Sequence, residues 1–259
     1  MPFARIDGVR LHYDTQGSEA LPCLVLSNSL GTDLSMWERQ ATALAEAFHV
    51  VRYDTRGHGQ SDRCSAPLDV ARLGQDVIGL LDHLGIGRAH FCGISMGGLT
   101  GQWLAIHAPQ RIDKLALANT AARIGNAEGW TARAALVRRE GIDRVADGAA
   151  SRWFTDDFIV RQPEVVRTMI GTLRAQDSES YAACCDALAD CDLCDAVTRI
   201  GSPTLVLAGA ADPVTTVADA HWLAGRIDGA RVEVLPASHL SNVEAGERFT
   251  GLLGRFLSA

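Results

Sequence analysis

The segment that most restricts how this chain can fold is Phe91-Cys92-Gly93-Ile94-Ser95-Met96-Gly97-Gly98, an apolar run that ends in Gly-x-Ser-x-Gly just before an amphipathic stretch. Such a pattern is compatible with a sharp strand-to-helix turn in which glycines stand wherever a side chain would strike the neighbouring backbone, with the serine held at the tip. A five-residue match is weak by itself, so its context carries the argument. The run before it predicts a strand. Met96 to Ala108, with its Leu99, Trp103 and Ile106 stripe, predicts a helix.

The rest of the chain repeats that unit. Leu11–Thr15, Cys23–Ser27, His49–Tyr53, Ala89–Gly93, Leu115–Asn119, Thr204–Gly209 and Arg231–Leu235 are short apolar or β-branched runs bounded by turn residues, and read as strands. Helical patterns over Met36–Ala45, Leu73–Leu84, Met96–Ala108, Val217–Ile227 and Phe249–Leu257 lie between most of them. Strands alternating with helices predict an α/β fold: a mostly parallel sheet flanked by helices. The alternation lapses where helical segments dominate, so residues 1–120 and 196–259 are expected to form the core and 121–195 an inserted helical cap.

A length of 259 residues with 47% hydrophobic content is enough to bury a large core. The charged start of the chain, with Arg5, Asp7 and Arg10, supports neither a signal peptide nor a membrane span. Seven cysteines, an odd number scattered through expected strands and helices, fit a reducing compartment, and a cytoplasmic location is expected. A net charge of −7 disfavours nucleic acid and anionic membrane as partners, and requires local positive charge wherever an anion is bound. Cys184, Cys185, Cys191 and Cys194 do not reproduce two well-spaced chelating pairs and have no histidine nearby, so they read as small core residues and no metal site is expected.

A serine hydroxyl becomes a useful nucleophile only beside a base that takes its proton, itself oriented by a carboxylate. With the serine on such a turn, the chain order is Ser, then Asp or Glu, then His, each on a loop after a later strand. Asp212 follows the strand Thr204–Gly209, and His239 follows Arg231–Leu235, so Ser95, Asp212 and His239 are the expected catalytic residues. The loop after Leu115–Asn119, an alternative place for the acid, offers only Asn119. His12, His49, His83, His90 and His107 lie at element edges and His221 in a surface helix, all read as structural or solvent-exposed. Backbone N–H groups of Met96, next to the nucleophile, and Leu30, in the loop Asn28-Ser29-Leu30-Gly31, are expected to form the oxyanion hole. In Asp54-Thr55-Arg56-Gly57-His58-Gly59-Gln60-Ser61, alternate glycines predict a tight loop that an Asp54–Arg56 pair would fix, and its role is read as scaffold.

With those residues in place the chain resembles the α/β-hydrolase fold family, and within it the 3-oxoadipate enol-lactonases of bacterial aromatic degradation. The resemblance spans essentially the whole length. Its most specific parts are Ser27–Trp37 (SNSLGTDLSMW), Arg52–Ser61 (RYDTRGHGQS), His90–Trp103 (HFCGISMGGLTGQW) and Asn119–Gly125 (NTAARIG), extended by Arg152–Thr155 (RWFT), Tyr181–Cys185 (YAACC) and Ser238–Asn242 (SHLSN). Where the broad family usually carries His-Gly, this chain has Asn28-Ser29, in keeping with the lactonase subgroup. The resemblance implies hydrolysis of a five-membered enol-lactone bearing a free carboxylate arm, through an acyl-enzyme and without metal or organic cofactor. Arg133 in the cap is then the first candidate to bind that carboxylate, with Trp130 beside it and Trp153 as an apolar wall. The alternatives are a serine esterase, a carbon–carbon bond hydrolase of another ring-fission product, or a non-catalytic ligand receptor on the same fold.

Overall fold

In the computed structural model, which describes residues 2–64 and 67–259, the strands are β1 (Phe3–Ile6), β2 (Val9–Gln16), β3 (Cys23–Ser27), β4 (His49–Tyr53), β5 (Ala89–Ile94), β6 (Ile112–Ala118), β7 (Thr204–Gly209) and β8 (Arg231–Leu235). They form a sheet in the order β1-β2-β4-β3-β5-β6-β7-β8, parallel from β4 to β8, with β2 antiparallel to both of its neighbours. Helices intervene: α1 (Glu38–Leu44), α2 (Val70–His83), α3 (Met96–His107), α4 (Ala127–Glu140), α5 (Asp143–Ala146), α6 (Ala149–Trp153), α7 (Asp156–Arg161), α8 (Pro163–Arg174), α9 (Ser178–Asp190), α10 (Val217–Ala224), α11 (Ser241–Glu244) and α12 (Gly246–Ser258). Residues 127–190, between β6 and β7, contain α4 to α9 and no strand. No helix among the described residues is long and apolar enough to cross a membrane.

Because side chains alternate across a strand, each central strand feeds two cores. Leu24 and Leu26 of β3, Cys92 and Ile94 of β5, and Ala116 and Ala118 of β6 join the core that includes α1, α12 and the α4–α9 segment. Val25, Phe91, Leu115 and Leu117 point the other way, onto Val77, Leu80 and Leu81 of α2 and Leu104 and Ala105 of α3. Strands covered on both faces read as predominantly apolar runs, which is why β3 to β7 were legible although β4 carries Arg52 and β6 begins with Asp113 and Lys114 after Ile112.

Three local expectations need correction. β1 was not expected, because it is a four-residue edge strand carrying Arg5. The segment from Met96 is not amphipathic. Its residues are buried on nearly every side, with only Trp103 and His107 less covered, because α3 packs against both the sheet and its neighbours. Arg56 does not pair with Asp54. Its guanidinium binds buried Asp76 of α2, with Nε to Oδ2 at 2.8 Å. Asp54 instead accepts from His12 Nδ1 (2.6 Å), Leu34 N (2.8 Å) and Gln60 N (2.8 Å).

Candidate active site

The loops that follow β3, β5, β7 and β8 meet around a cavity of about 310 Å³ lined by Ser29, Leu30, Ser95, His239 and residues of the α4–α9 segment. Ser95 sits between β5 and α3 with φ 57° and ψ −114°, a conformation that costs a non-glycine residue on the order of 1–3 kcal/mol and persists only where its surroundings enforce it. The enforcement is visible. Ser95 N donates to Ala118 O (3.1 Å), its carbonyl accepts from Thr120 Oγ1 (2.8 Å), and Gly97 N donates to Asn28 O (3.1 Å). A Cβ on Gly93 would lie 2.1 Å from Gly97 O, and one on Gly97 would lie 2.5 Å from Ser27 O, so both flanking glycines are required by close approach.

His239 lies on the loop after β8, directs Nδ1 to Asp212 Oδ2 at 2.8 Å, and lines the same cavity as Ser95. Asp212 stands behind it, buried. Its Oδ1 accepts from Val214 N (2.7 Å) and Thr215 N (3.1 Å), and Oδ2 also accepts from Thr215 Oγ1 (2.8 Å) and Asn119 Nδ2 (2.9 Å). Burial alone would raise the pKa of this carboxyl, but the donors from His239, Asn119 and Val214 outweigh it and hold the group below its ordinary value. Asp212 is thereby held as a carboxylate whose Oδ2 faces His239 Nδ1, an arrangement that favours a proton on Nδ1 and an unprotonated Nε2.

Asn119, at the alternative position for a candidate acid, binds Asp212 instead. At φ 43° it donates from Nδ2 to Asp212 and to Ser238 O (3.2 Å), and its Oδ1 accepts from Ser241 Oγ. It thus ties the loops after β6, β7 and β8 together. Leu240 N donates to Trp153 O (3.0 Å), joining the His239 loop to the end of α6, and Ser238 N donates to Glu244 Oε2 (2.8 Å) at the end of α11.

Leu30 lines the same cavity, while the Met96 side chain is buried in the core and its backbone begins α3. The N-terminus of α3 brings a partial positive charge to the same place. Among the described residues, the hydrogen bonds of the Leu30 loop use the amides of its neighbours: Gly31 N donates to His58 Nε2 (3.1 Å) and Thr32 N to Ser29 O (3.2 Å). Asn28 anchors the start of the loop, donating from Nδ2 to Tyr53 O (2.8 Å) and accepting from Trp37 Nε1 (3.0 Å). The 54–61 loop buttresses it through His58, whose pKa burial pulls down to about 4 despite the raising influence of Arg56 O and Asp33.

Arg133, Trp130 and Trp153 all line the cavity, with the Arg133 guanidinium 4.7 Å from the Trp130 ring centroid. Arg152 and Tyr181 line it too and were not singled out as binding residues from the sequence; an arginine at the end of a short helix carries no periodic signal for which way it points. Cys184, Cys185 and Cys191 are buried in the core, where burial pushes the thiols of Cys185 and Cys191 up to about 12 and keeps them protonated.

A family profile described as alpha/beta hydrolase fold matches residues 22–148. The chain is 52% identical to 3-oxoadipate enol-lactonase 2 of Acinetobacter baylyi over 241 residues, 93% of this chain and 90% of that one. To 3-oxoadipate enol-lactonase 1 of the same organism it is 42% identical over 252 residues, covering 97% and 94%. Among solved structures, the enol-lactonase from Burkholderia xenovorans LB400 superposes with a TM-score of 0.98 at 46% identity, covering 100% of both chains.

Proposed function

This chain belongs to the α/β-hydrolase fold family, as one of its 3-oxoadipate enol-lactonases, and from that premise we propose that it opens the ring ester of 3-oxoadipate enol-lactone through an acyl-enzyme on Ser95. The observation that carries the proposal is one cavity with Ser95 and the Asp212-bound His239 on its wall, and Arg133 exposed to it without an acidic partner among the described residues.

Ser95 Oγ attacks the ring carbonyl as His239 Nε2 takes its proton, and Asp212 stabilises the imidazolium that forms. The negative oxygen of the tetrahedral intermediate is held by the N–H groups of Leu30 and Met96, each worth roughly 3 kcal/mol when preorganised. Collapse breaks the ring C–O bond. The leaving group is an enolate, whose carbon takes up the proton carried by the His239 imidazolium to give the ketone, so ring opening runs downhill and Nε2 is free again. The chain stays attached to Ser95 as an ester until a water, deprotonated by His239, attacks the same carbonyl; collapse returns that proton from His239 to Ser95 Oγ and releases 3-oxoadipate. The 121–195 segment serves as the cap over this site. Arg133 binds the free carboxylate of the substrate, and Trp130 and Trp153 flank the ring. A cytoplasmic location belongs to the same reading, supported by buried thiols that form no disulfide among the described residues.

The test is the steady-state rate on freshly generated 3-oxoadipate enol-lactone beside p-nitrophenyl acetate, with Ser95→Ala as control. Fast lactone turnover, slow acetate turnover and loss of both in the variant are expected. Acetate turnover without lactone turnover would keep the nucleophile and discard the substrate.

A further inference from the structure

Arginines in the cap segment are disposed in two ways. Arg123, Arg138, Arg139, Arg144, Arg161, Arg167 and Arg174 each form an ion pair with a carboxylate, as in Arg138 with Glu179 (2.9 Å) and Asp186 (2.7 Å). The two that line the cavity, Arg133 and Arg152, have no carboxylate partner among the described residues. Arg152 spends one donor, Nη2, on Val145 O (2.7 Å), and passes so close to the chain that a Cβ on Gly148 would lie 2.8 Å from its Nη1. Burial, and then the like charge of Arg133, push its pKa below the ordinary arginine value, and the Tyr181 hydroxyl feels both guanidinium groups.

Two like charges facing one partly dry cavity repel, and each loses hydration. A protein of net charge −7 that pairs its outward cap arginines and leaves these two unpaired has kept the position for an anion brought from outside. We propose that Arg152 joins Arg133 in a two-guanidinium clamp on the free carboxylate of the substrate, and that Arg152 selects carboxylate-bearing lactones over neutral ones with the same ring. The proposal rests on the lactone assignment for its natural ligand. The geometry divides the task. The Trp130 ring lies 4.7 Å from the Arg133 guanidinium and restrains it, and Val145 O fixes the reach of Arg152, so both are positioned before the substrate arrives. Because the carboxylate arm stays on the acyl chain after the ring opens, the same clamp holds the intermediate until water releases it. The backbone next to Arg152 is also stitched to the His239 loop, since Leu240 N donates to Trp153 O, so the anion site and the base are held in one frame.

The deciding experiment compares kcat/KM for 3-oxoadipate enol-lactone with that for 5-methylfuran-2(3H)-one, the same ring with a methyl in place of the carboxylate arm, in wild type, Arg152→Met and Arg152→Lys. The ratio of anionic to neutral lactone is expected to fall roughly 10- to 100-fold in Arg152→Met, chiefly through KM, with partial recovery in Arg152→Lys. Equal losses on both lactones would reduce Arg152 to a structural residue and overturn the proposal, as would an unchanged ratio. A second assay is independent of the lactone: inhibition of p-nitrophenyl acetate hydrolysis by hexanoate against hexanamide. A preference for the anion that disappears in Arg152→Met supports the clamp, and a preference that persists overturns it. If wild type leaves the lactone intact while the hexanoate preference follows Arg152, the substrate assignment falls and the anion site stands.

Discussion

Acid should weaken this protein through His58, a residue that titrates without touching substrate. His58 is fully buried, donates from Nδ1 toward Arg56 O (3.4 Å) and accepts the Gly31 amide at Nε2. Protonation would place a second N–H against Gly31 N–H, in a site with no room to hydrate the charge. Burial accordingly pulls its pKa from 6.5 to about 4 in the folded chain. Above pH 6.5 the residue is neutral in both states and the contribution to stability is constant. Between 6.5 and 4 the unfolded chain binds the proton that the folded chain refuses, so stability is lost as pH falls and levels off below 4. The loss is about 2 kcal/mol at pH 5 and on the order of 3 kcal/mol in full, the free energy that corresponds to a pKa of 6.5 falling to about 4 on folding. Urea unfolding of wild type and His58→Gln from pH 4 to 7.5 measures it, since glutamine offers Gly31 an acceptor and does not titrate. Other groups titrate in both proteins and cancel in the difference. A difference curve that is flat between pH 4 and 6.5 would refute the reasoning.

Asp212→Asn should lower kcat on p-nitrophenyl acetate by roughly 10³- to 10⁴-fold with little change in KM, because the amide no longer enforces the Nδ1–H tautomer of His239; a loss below tenfold would contradict the orienting role. Asn119→Ala removes the side chain that ties Asp212 to Ser238 O and Ser241, and should reduce kcat about 10- to 100-fold at near-constant KM, measured on the same ester. An unchanged kcat would leave the remaining donors to Asp212 sufficient. Arg56→Met strands the buried Asp76 carboxylate and should cost about 3–5 kcal/mol of stability in urea unfolding at pH 7, part of it recovered by pairing the change with Asp76→Leu. If Arg56→Met cost less than about 1 kcal/mol, the pair would behave like a surface ion pair.

Some features were missed although their signal was present. The Asp7-Gly8 pair, with φ 47° and 83°, is the turn that closes the β1–β2 hairpin, and such a dipeptide between alternating residues announces a hairpin. The alternation in Phe3–Ile6 has only Ala4 and Ile6 turned inward, too few to register as a strand. The Arg56 partner had no such signal. Asp54 is near in sequence, but its oxygens are taken up by His12, Leu34 N and Gln60 N, while Asp76 arrives from a helix that only packing brings near.

Local physics wrote the sheet and the elbow into the sequence. Strands buried on both faces are predominantly apolar runs, and a serine held at positive φ between β5 and α3 must have glycines where a Cβ would meet backbone at 2.1 and 2.5 Å. The candidate acid and base were legible for the same reason, since parallel strands place the loops after them on one edge of the sheet. What the tertiary structure alone decided is which polar groups meet. Asn119 binds Asp212, His58 shapes the Leu30 loop, and Arg152 of α6 shares a cavity with Arg133 of α4, nineteen residues earlier, an arrangement set by how these helices pack. Apolar patterning reports that a side chain is buried or exposed; the partner it finds depends on the relative placement of elements distant in the chain, to which periodicity is blind.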